Sequence, residues 1–239
     1  MKKDEPKEAF LYKPVDKKIS GEYQYILNME TPLPLNYLKI FFDKIVALIF
    51  LLFIVPVLIL LKLLFMIEGF IIPANKGPLL FYYNAISAGK VIKKYKIRLI
   101  KTEYIDQEGA AKGDWHAFSS EWTQSSCTYI GKFVKKYYLD ELPQFYSVLI
   151  GDMSIVGPRP LAVHHYERDL EQGNNSRLLL RGGLLGAGHI NKGTEKMGEP
   201  VYEFKYIDYY LNKSSLALLW YDLQIIWKGF KLITRGQGL

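Results

Sequence analysis

The sequence predicts a helix-rich α/β fold in which a compact domain is carried by a membrane-embedded, re-entrant segment of the helix–break–helix kind. Three observations lead to this prediction. Residues 45–67 form an apolar run that is interrupted by one proline and one lysine and reads IVALIFLLFIVPVLILLKLLFMI. Pro56 lies near the middle of that run. Strand-like and helical patterns alternate through the rest of the chain.

The apolar run has the length of a membrane helix. At about 1.5 Å per residue, a helix over residues 45–67 spans roughly 34 Å, which exceeds a hydrocarbon core of about 30 Å. The run begins beyond residue 40 and is not followed by a small-residue cleavage site, so a signal peptide is not expected. We therefore expect the run to attach the chain to a membrane, with membrane lipids among its partners.

Pro56 allows two topologies. Proline lacks an N–H and its ring collides with the preceding turn, so the helix either bends and crosses the bilayer or breaks and returns to the same face. Lysines flank both ends of the run, and only a re-entrant segment places both flanks on the cytoplasmic side that positive charge favours. The spanning helix stays open as the alternative. Either topology divides the chain into a polar extension at residues 1–36, a membrane segment at 37–69 and a domain at 70–239.

The domain combines strands and helices. Residues 79–83 and 91–100 are typical of short strands, and residues 128–138 and 163–181 are typical of helices. The last helix is amphipathic, and its aromatic and lysine residues suit either a membrane interface or packing on the domain core. Its apolar residues recur at steps of three and four, at Leu216, Leu219, Leu223, Ile226, Phe230 and Ile233.

Charge and cysteine content narrow the class of protein. The formal net charge is +7, which suits the anionic headgroups of a cytoplasmic leaflet. The sequence has no helix-turn-helix, zinc-finger or RNA-binding signature, so no nucleic-acid partner is expected. Cys127 is the only cysteine, which excludes an internal disulfide and fits a reducing compartment.

The adjacent acidic residues Asp140 and Glu141 have two interpretations. Aspartate is a favoured helix N-cap, acidic residues suit a first helical turn, and Pro143 is tolerated there. An aspartate carboxylate is also ordinarily ionised at neutral pH, so it can act as a nucleophile without an activating base. The residues alone leave both interpretations open.

Two motifs around these acidic residues resemble the signature of a known family. Residues 139–144 read LDELPQ, and residues 151–160 read GDMSIVGPRP. Both closely resemble the bacterial sugar transferases, which are monotopic polyprenol-phosphate phosphoglycosyl transferases. The resemblance covers residues 38–239 and includes LKIFFD at 38–43, Val55-Pro56, YKIR at 95–98, GLLG at 183–186, Asp208-Tyr209-Tyr210 and Asp222.

The resemblance implies a two-step phosphosugar transfer. Asp140 is expected to attack the sugar-bearing phosphate of a UDP-sugar, release UMP and carry the phosphosugar until polyprenyl (undecaprenyl) phosphate accepts it. Glu141 is expected to handle a proton or, with Asp140, to bind Mg²⁺, which screens the repulsion between carboxylate and diphosphate. The family also implies a catalytic domain on the cytoplasmic face of the bacterial inner membrane, at the start of surface glycan assembly. A homodimer is left open.

Four further residues are candidates for substrate binding. Arg159 is flanked by prolines, and a guanidinium suits phosphate oxygens. Lys96 and Arg98 alternate on a predicted strand and so share one face, where surface charge and ligand binding are equally good explanations. His189 follows the glycine-rich turn at which the resemblance implies nucleotide contacts.

Three departures from the family pattern support an alternative function. The family's Gln-x-Arg-x-Gly element is absent from residues 84–90, and its Asp-Arg-x-Thr element is absent from residues 125–128. The proline of its later glycine turn is replaced in residues 181–183, which read RGG. The alternative is therefore a catalytically inactive member that acts as a membrane scaffold or regulator of glycan enzymes.

Overall fold

The structure is a computed structural model that describes residues 13–113, 125–191, 194, 196 and 198–234. Helices dominate this part of the chain. They are α1 (Lys17–Glu22), α2 (Gln24–Leu27), α3 (Tyr37–Ile71), α4 (Gln107–Lys112), α5 (Tyr129–Lys136), α6 (Gln144–Ile150), α7 (Val163–Glu171), α8 (Ser176–Leu179), α9 (Val201–Asn212) and α10 (Ser215–Thr234). The strands are β1 (Leu80–Ser87), β2 (Lys90–Ile97), β3 (Met153–Val156), β4 (Leu161–Ala162) and β5 (Gly182–Leu185).

Helix α3 contains the apolar run. Among the described residues it is the one helix that is long and apolar enough to cross a membrane, with 35 residues and a mean hydropathy of 3.1 in its most apolar window. Only 17% of that window is buried, so most of its apolar side chains are exposed. A single stripe of the helix is buried, and its members are Lys39, Asp43, Ala47, Ile54, Leu61, Phe65 and Glu68.

The structure differs from the predicted helix–break–helix segment at Pro56. Helical conformation continues from Tyr37 to Ile71, with Pro56 in the interior of the helix. Proline removes one backbone donor and crowds the carbonyl four residues earlier, and a long helix can accommodate both effects by bending. The apolar neighbours of Pro56 favour this outcome, because unpaired backbone groups are costly in apolar surroundings.

The described residues form two compact units, and the first comprises Leu48–Asn84 and Lys93–Ser147. Its core joins α3 to β2 and α5. These elements meet through four buried side chains, Leu61, Phe65, Ile97 and Val134. The strand and the two helices are therefore held together by ordinary apolar packing.

The second unit comprises residues 13–47, Ala85–Ile92 and 148–234 of the described chain. Strand β1 has β2 and β4 as its neighbours and pairs with β4 in antiparallel orientation. Strands β3 and β5 pair in parallel, with Met153 opposite Gly182. Helices α8, α9 and α10 contribute Leu179, Phe204, Ile207, Leu218 and Ile225 to the core of this unit.

The segment before α3 is folded where the structure describes it, from residue 13. Helices α1 and α2 bury Ile19, Tyr23 and Ile26, which follow helical spacing within an otherwise polar segment. The Tyr23 ring stacks on Phe204 of α9, with 5.9 Å between the centroids. Asn175 donates its side-chain amide to the carbonyl of Ile26 at 2.9 Å. These contacts make the segment part of the second unit.

Several predicted elements are confirmed. Strands β1 and β2 lie where short strands were predicted, and α5 is the predicted basic helix. The helix predicted for residues 163–181 is instead two helices, α7 and α8. Gly173 lies between them with a φ of 85°, a left-handed conformation that ends helices and that glycine adopts without strain.

Candidate active site

Strand β2 brings a lysine to the dyad Asp140-Glu141. Lys96 Nζ lies 3.1 Å from Asp140 Oδ2 and 3.0 Å from Glu141 Oε1. The side chains of Lys96, Asp140 and Glu141 are mostly buried, with 20%, 12% and 29% of their surface exposed. One ammonium group therefore bridges the two carboxylates.

The dyad lies in a 3-10 turn, Leu139–Glu141, between α5 and α6. Tyr138 precedes the turn with a φ of 55°, a left-handed conformation that is uncommon outside glycine. Such a conformation costs about 1–3 kcal/mol and persists where the surrounding structure imposes it, often at functional sites. Helix α6 begins only at Gln144, so Asp140 is not its N-cap. Asp140 instead pairs with Lys96, and its role as a nucleophile stays a prediction.

Arg98 lies one residue past the end of β2, and its guanidinium is bound within the protein, while its predicted substrate contact stays a prediction. Its side chain is fully buried, and the Phe65 ring lies 5.1 Å from its guanidinium carbon. Burial lowers the pKa of Arg98 from its ordinary value. All three guanidinium nitrogens donate to backbone carbonyls, those of Asn75, Pro78 and Ile100. Arg98 therefore holds the segment that follows α3.

A buried carboxylate that the sequence analysis missed connects the end of α3 to the helix before the dyad. Glu68 accepts hydrogen bonds from the backbone N–H groups of Tyr129 at 2.6 Å and Ile130 at 3.0 Å. These groups belong to the first turn of α5, where a carboxylate satisfies free donors and complements the helix dipole. Thr128 caps the same turn by accepting from Gly131 N at 2.8 Å. The available sequence signal for this contact was the position of Glu68, an acidic residue directly after the apolar run.

Arg159 belongs to the second unit and lies in an anchored turn. Gly183 donates its N–H to Pro158 O at 2.8 Å, and Arg177 Nε donates to Arg159 O at 3.0 Å. The flanking prolines restrict the same backbone. The geometry therefore explains how the turn is held, and the phosphate contact of Arg159 stays a prediction.

Arg177 is the centre of a buried ion network that the sequence analysis did not identify. Its Nη1 lies 2.7 Å from Asp169 Oδ2, and its Nη2 lies 2.7 Å from Glu203 Oε1. Burial raises the pKa of Asp169 to about 6, although the neighbouring Arg177 acts in the opposite direction. The network joins α7, α8 and α9 and supports the backbone of Arg159. The sequence did not indicate this pairing, because Asp169, Arg177 and Glu203 lie on three separate helices.

A second buried cluster joins the start of α3 to α10. Lys39 Nζ lies 2.6 Å from Asp222 Oδ2 and 3.8 Å from Asp43 Oδ1. Tyr206 donates its hydroxyl to Asp222 Oδ1 at 2.6 Å, and Ser154 donates to Asp43 Oδ2 at 2.7 Å. Burial raises the pKa of Asp222, while Lys39 opposes this shift. Lys39, Asp43 and Asp222 belong to segments that resemble the family, but only the structure shows that they pair.

The predicted site residues therefore fall into two groups. Lys96, Asp140 and Glu141 come together in the first unit. Arg159 and His189 belong to the second unit. His189 begins a 3-10 turn, and its side chain lies outside the part of the chain that the structure describes, so its nucleotide contact stays a prediction.

The donor set of the dyad suits Mg²⁺. This ion prefers oxygen ligands and commonly takes one or two carboxylates, with water and substrate phosphates at the other positions. Asp140 and Glu141 supply adjacent carboxylates, and both contact the Lys96 ammonium. Within the described residues no group of three or more His, Cys, Asp or Glu side chains could hold a metal ion. A magnesium ion at the dyad would thus depend partly on substrate oxygens.

The fold and the dyad define a class of protein, a helix-rich domain that holds an Asp-Glu pair and is attached to a long apolar helix. Residues 35–236 match the family described as bacterial sugar transferase. The match covers most of the chain, so the chain belongs to the bacterial sugar transferase family. Residues 13–34 precede the match, although they pack within the same unit as α9.

Individual relatives agree with the family. The chain is 34% identical over 210 residues to a UDP-glucose:undecaprenyl-phosphate glucose-1-phosphate transferase of Klebsiella pneumoniae, a match to 82% of this chain and 42% of that protein. It is 33% identical over 195 residues to a protein of the same name from Escherichia coli (strain K12), covering 79% and 39%. It is 32% identical over 166 residues to the galactosyl transferase CpsE of Streptococcus agalactiae serotype III (strain NEM316), covering 68% and 36%. The chain spans about two fifths of the length of these curated relatives.

Proposed function

We propose that the protein transfers a sugar 1-phosphate from a UDP-sugar to polyprenyl phosphate and releases UMP. The observation that carries this proposal is the dyad Asp140-Glu141, held by Lys96, in a member of the bacterial sugar transferase family. The relatives from Klebsiella pneumoniae and Escherichia coli are named for the transfer of glucose 1-phosphate to undecaprenyl phosphate. The sugars named among the relatives differ, which supports a common reaction class rather than one sugar.

In this proposal Asp140 is the nucleophile. One of its carboxylate oxygens forms a bond to the sugar-bearing phosphorus while the bond to the bridging diphosphate oxygen breaks, and UMP leaves with that electron pair. An oxygen of polyprenyl phosphate then attacks the same phosphorus, breaks its bond to Asp140 and forms a polyprenyl diphosphate sugar. Before the donor binds, Lys96, 3.1 Å from Asp140 Oδ2, holds the carboxylate in position.

Asp140 and Glu141 would also hold Mg²⁺. The bound ion supplies positive charge that screens the diphosphate and stabilises the departing UMP. Arg159 is the proposed contact for phosphate oxygens, because its anchored backbone reduces the entropy lost when the guanidinium binds. His189 is the proposed nucleotide contact by family resemblance.

We also propose that α3 enters the bacterial inner membrane from the cytoplasmic face and that the helix, although continuous through Pro56, bends there far enough to return to the same face, so that the domain faces the cytoplasm. The exposed apolar faces of α3 and the lysines on both flanks support this arrangement. Lys231 lies 5.1 Å from the Trp227 ring centre on α10, and paired lysine and tryptophan suit the headgroup region. An exposed stripe continues along this helix through Leu216, Trp220, Leu223, Trp227 and Phe230.

The second candidate function is an inactive scaffold or regulator of glycan enzymes. It is favoured by the two segments in which family motifs are absent. In residues 84–90 the chain makes the tight β1–β2 turn, with positive φ at Ala88 and Gly89. The segment 125–128 ends at Thr128, whose side chain caps α5. Both segments therefore have clear structural tasks that do not require a substrate.

The test is UMP release by the full chain in nanodiscs with Mg²⁺, polyprenyl phosphate and a panel of UDP-sugars. Asp140→Asn should abolish UMP release, because an amide is not a competent nucleophile. The matched control is Asp106→Asn, since Asp106 caps α4 and asparagine caps equally well. Release that survives in Asp140→Asn contradicts the assigned nucleophile. If no donor yields UMP while an active relative releases UMP under the same conditions, the scaffold function is favoured. The particle mass in the nanodisc distinguishes monomer from homodimer.

A further inference from the structure

We propose that Lys96 is an exchangeable counterion of the dyad. Without substrate its ammonium group occupies the cation position at Asp140 and Glu141, and it yields this position to a divalent cation when a donor diphosphate offers it a new partner. This inference rests on the proposed function, because it concerns the regulation of the same site. It assigns Lys96 a role that differs from simple substrate binding.

The first step of the argument is electrostatic. Lys96 Nζ lies 3.1 Å from Asp140 Oδ2 and 3.0 Å from Glu141 Oε1. Because Mg²⁺ binds oxygen at about 2.0–2.1 Å, an ion on either of these oxygens lies no farther than about 5 Å from the ammonium. Even at the dielectric constant of water, repulsion between one and two charges at about 5 Å lowers a binding constant by roughly tenfold or more. A divalent ion therefore binds well only after Lys96 moves.

The second step concerns which side chain can move. Lysine carries its charge on a flexible four-carbon stem, and the Lys96 side chain is 20% exposed. Arg98, one residue past the end of β2, is fully buried, and all its guanidinium nitrogens donate to carbonyls. Of these two cations, Lys96 is the one that can exchange partners, while Arg98 fixes the strand that carries it.

The third step is thermodynamic coupling. A diphosphate near the dyad attracts the Lys96 ammonium, and the vacated carboxylates attract the divalent ion. Nucleotide and metal ion must then raise each other's affinity by the same factor, because binding linkage is reciprocal. Removal of the Lys96 charge should abolish most of this coupling, since the ammonium then no longer competes with the metal ion for Asp140 and Glu141.

The experiment measures Mn²⁺ binding by electron paramagnetic resonance, with the full chain in nanodiscs and with or without UDP. Without UDP, Lys96→Met should bind Mn²⁺ at least tenfold more tightly than the wild type. UDP should tighten Mn²⁺ binding to the wild type by at least tenfold and to Lys96→Met by much less. Lys93→Met is the matched control, because Lys93 lies on the same strand with its ammonium over the Tyr82 ring, and it should behave as the wild type.

Two outcomes overturn the proposal. One is Mn²⁺ affinity of Lys96→Met that equals or falls below that of the wild type without UDP. The other is unchanged Mn²⁺ binding when Asp140→Asn and Glu141→Gln are combined, because the ion then binds elsewhere. If Lys96→Met does not fold, judged by near-ultraviolet circular dichroism, Lys96→Gln carries the same expectation. The readout is metal binding, so a failure here is distinct from a failure of UMP release.

Discussion

Replacement of Lys39 by methionine tests how the start of α3 is held within the second unit. The Lys39 ammonium lies 2.6 Å from Asp222 Oδ2, and the two side chains are 5% and 1% exposed. Methionine keeps the length and apolar stem of lysine but removes the charge. The carboxylates of Asp222 and Asp43 then remain buried with one cation fewer beside them.

The magnitude follows from the remaining partners. Loss of one partner from a buried ion pair typically costs about 3–5 kcal/mol, because it leaves an uncompensated charge. Here Tyr206 still donates to Asp222 at 2.6 Å, and Arg181 Nη2 still lies 3.4 Å from Asp43 Oδ2. These contacts place the expected loss near the lower limit, at about 3 kcal/mol. For a chain of this size the corresponding decrease in Tm is roughly 6–12 °C.

The assay is thermal unfolding of the full chain in nanodiscs, followed by tryptophan fluorescence. Lys44→Met is the matched control, because Lys44 is exposed on the same helix and should change stability by less than about 0.5 kcal/mol. The double variant Lys39→Met, Asp222→Asn should lose less unfolding free energy than the sum of the losses in the two single variants. If Lys39→Met lowers Tm no more than Lys44→Met, the buried pair is not what holds α3.

Three further predictions concern other parts of the molecule. Burial raises the folded-state pKa of Asp169 to about 6. The folded protein therefore binds more protons than the unfolded chain and loses stability as pH rises towards 6. Asp169→Asn should remove about 1 kcal/mol of the difference in unfolding free energy between pH 5 and pH 7, measured by denaturant titration. Gly183→Ala should unfold or strongly destabilise the second unit in a thermal melt, because a Cβ there would lie 2.1 Å from Gly157 N. Brominated lipids should quench tryptophan fluorescence in the wild type, because Trp220 and Trp227 are exposed on α10. Most of this quenching should disappear when Trp220→Phe and Trp227→Phe are combined. Equal quenching in the double variant would place α10 away from lipid.

Much of the architecture could be predicted from local sequence. Helix α3 follows from an apolar run, because in apolar surroundings a single segment can satisfy its backbone N–H and C=O groups only as a helix. The β1–β2 hairpin follows from short strand-like segments on either side of Ala88-Gly89. The dyad follows from motif resemblance, which is also local in sequence. The fold of residues 13–36 could not be predicted in this way, because Ile19, Tyr23 and Ile26 are too few to form a core and are buried only by packing on the rest of the second unit.

The sequence by itself determined the membrane-type helix, the hairpin and the position of Asp140-Glu141, since each depends on neighbours a few residues apart. The tertiary structure decided which cation faces the dyad. Lys96 and Arg98 alternate in sequence on one predicted strand, yet Lys96 contacts the carboxylates of Asp140 and Glu141, and Arg98 donates to backbone carbonyls just past the end of β2. It also decided that α3 continues through Pro56 and that Lys39 pairs with Asp222. The physical reason is that burial and long-range charge pairing arise only when distant segments pack together, and no local pattern specifies them.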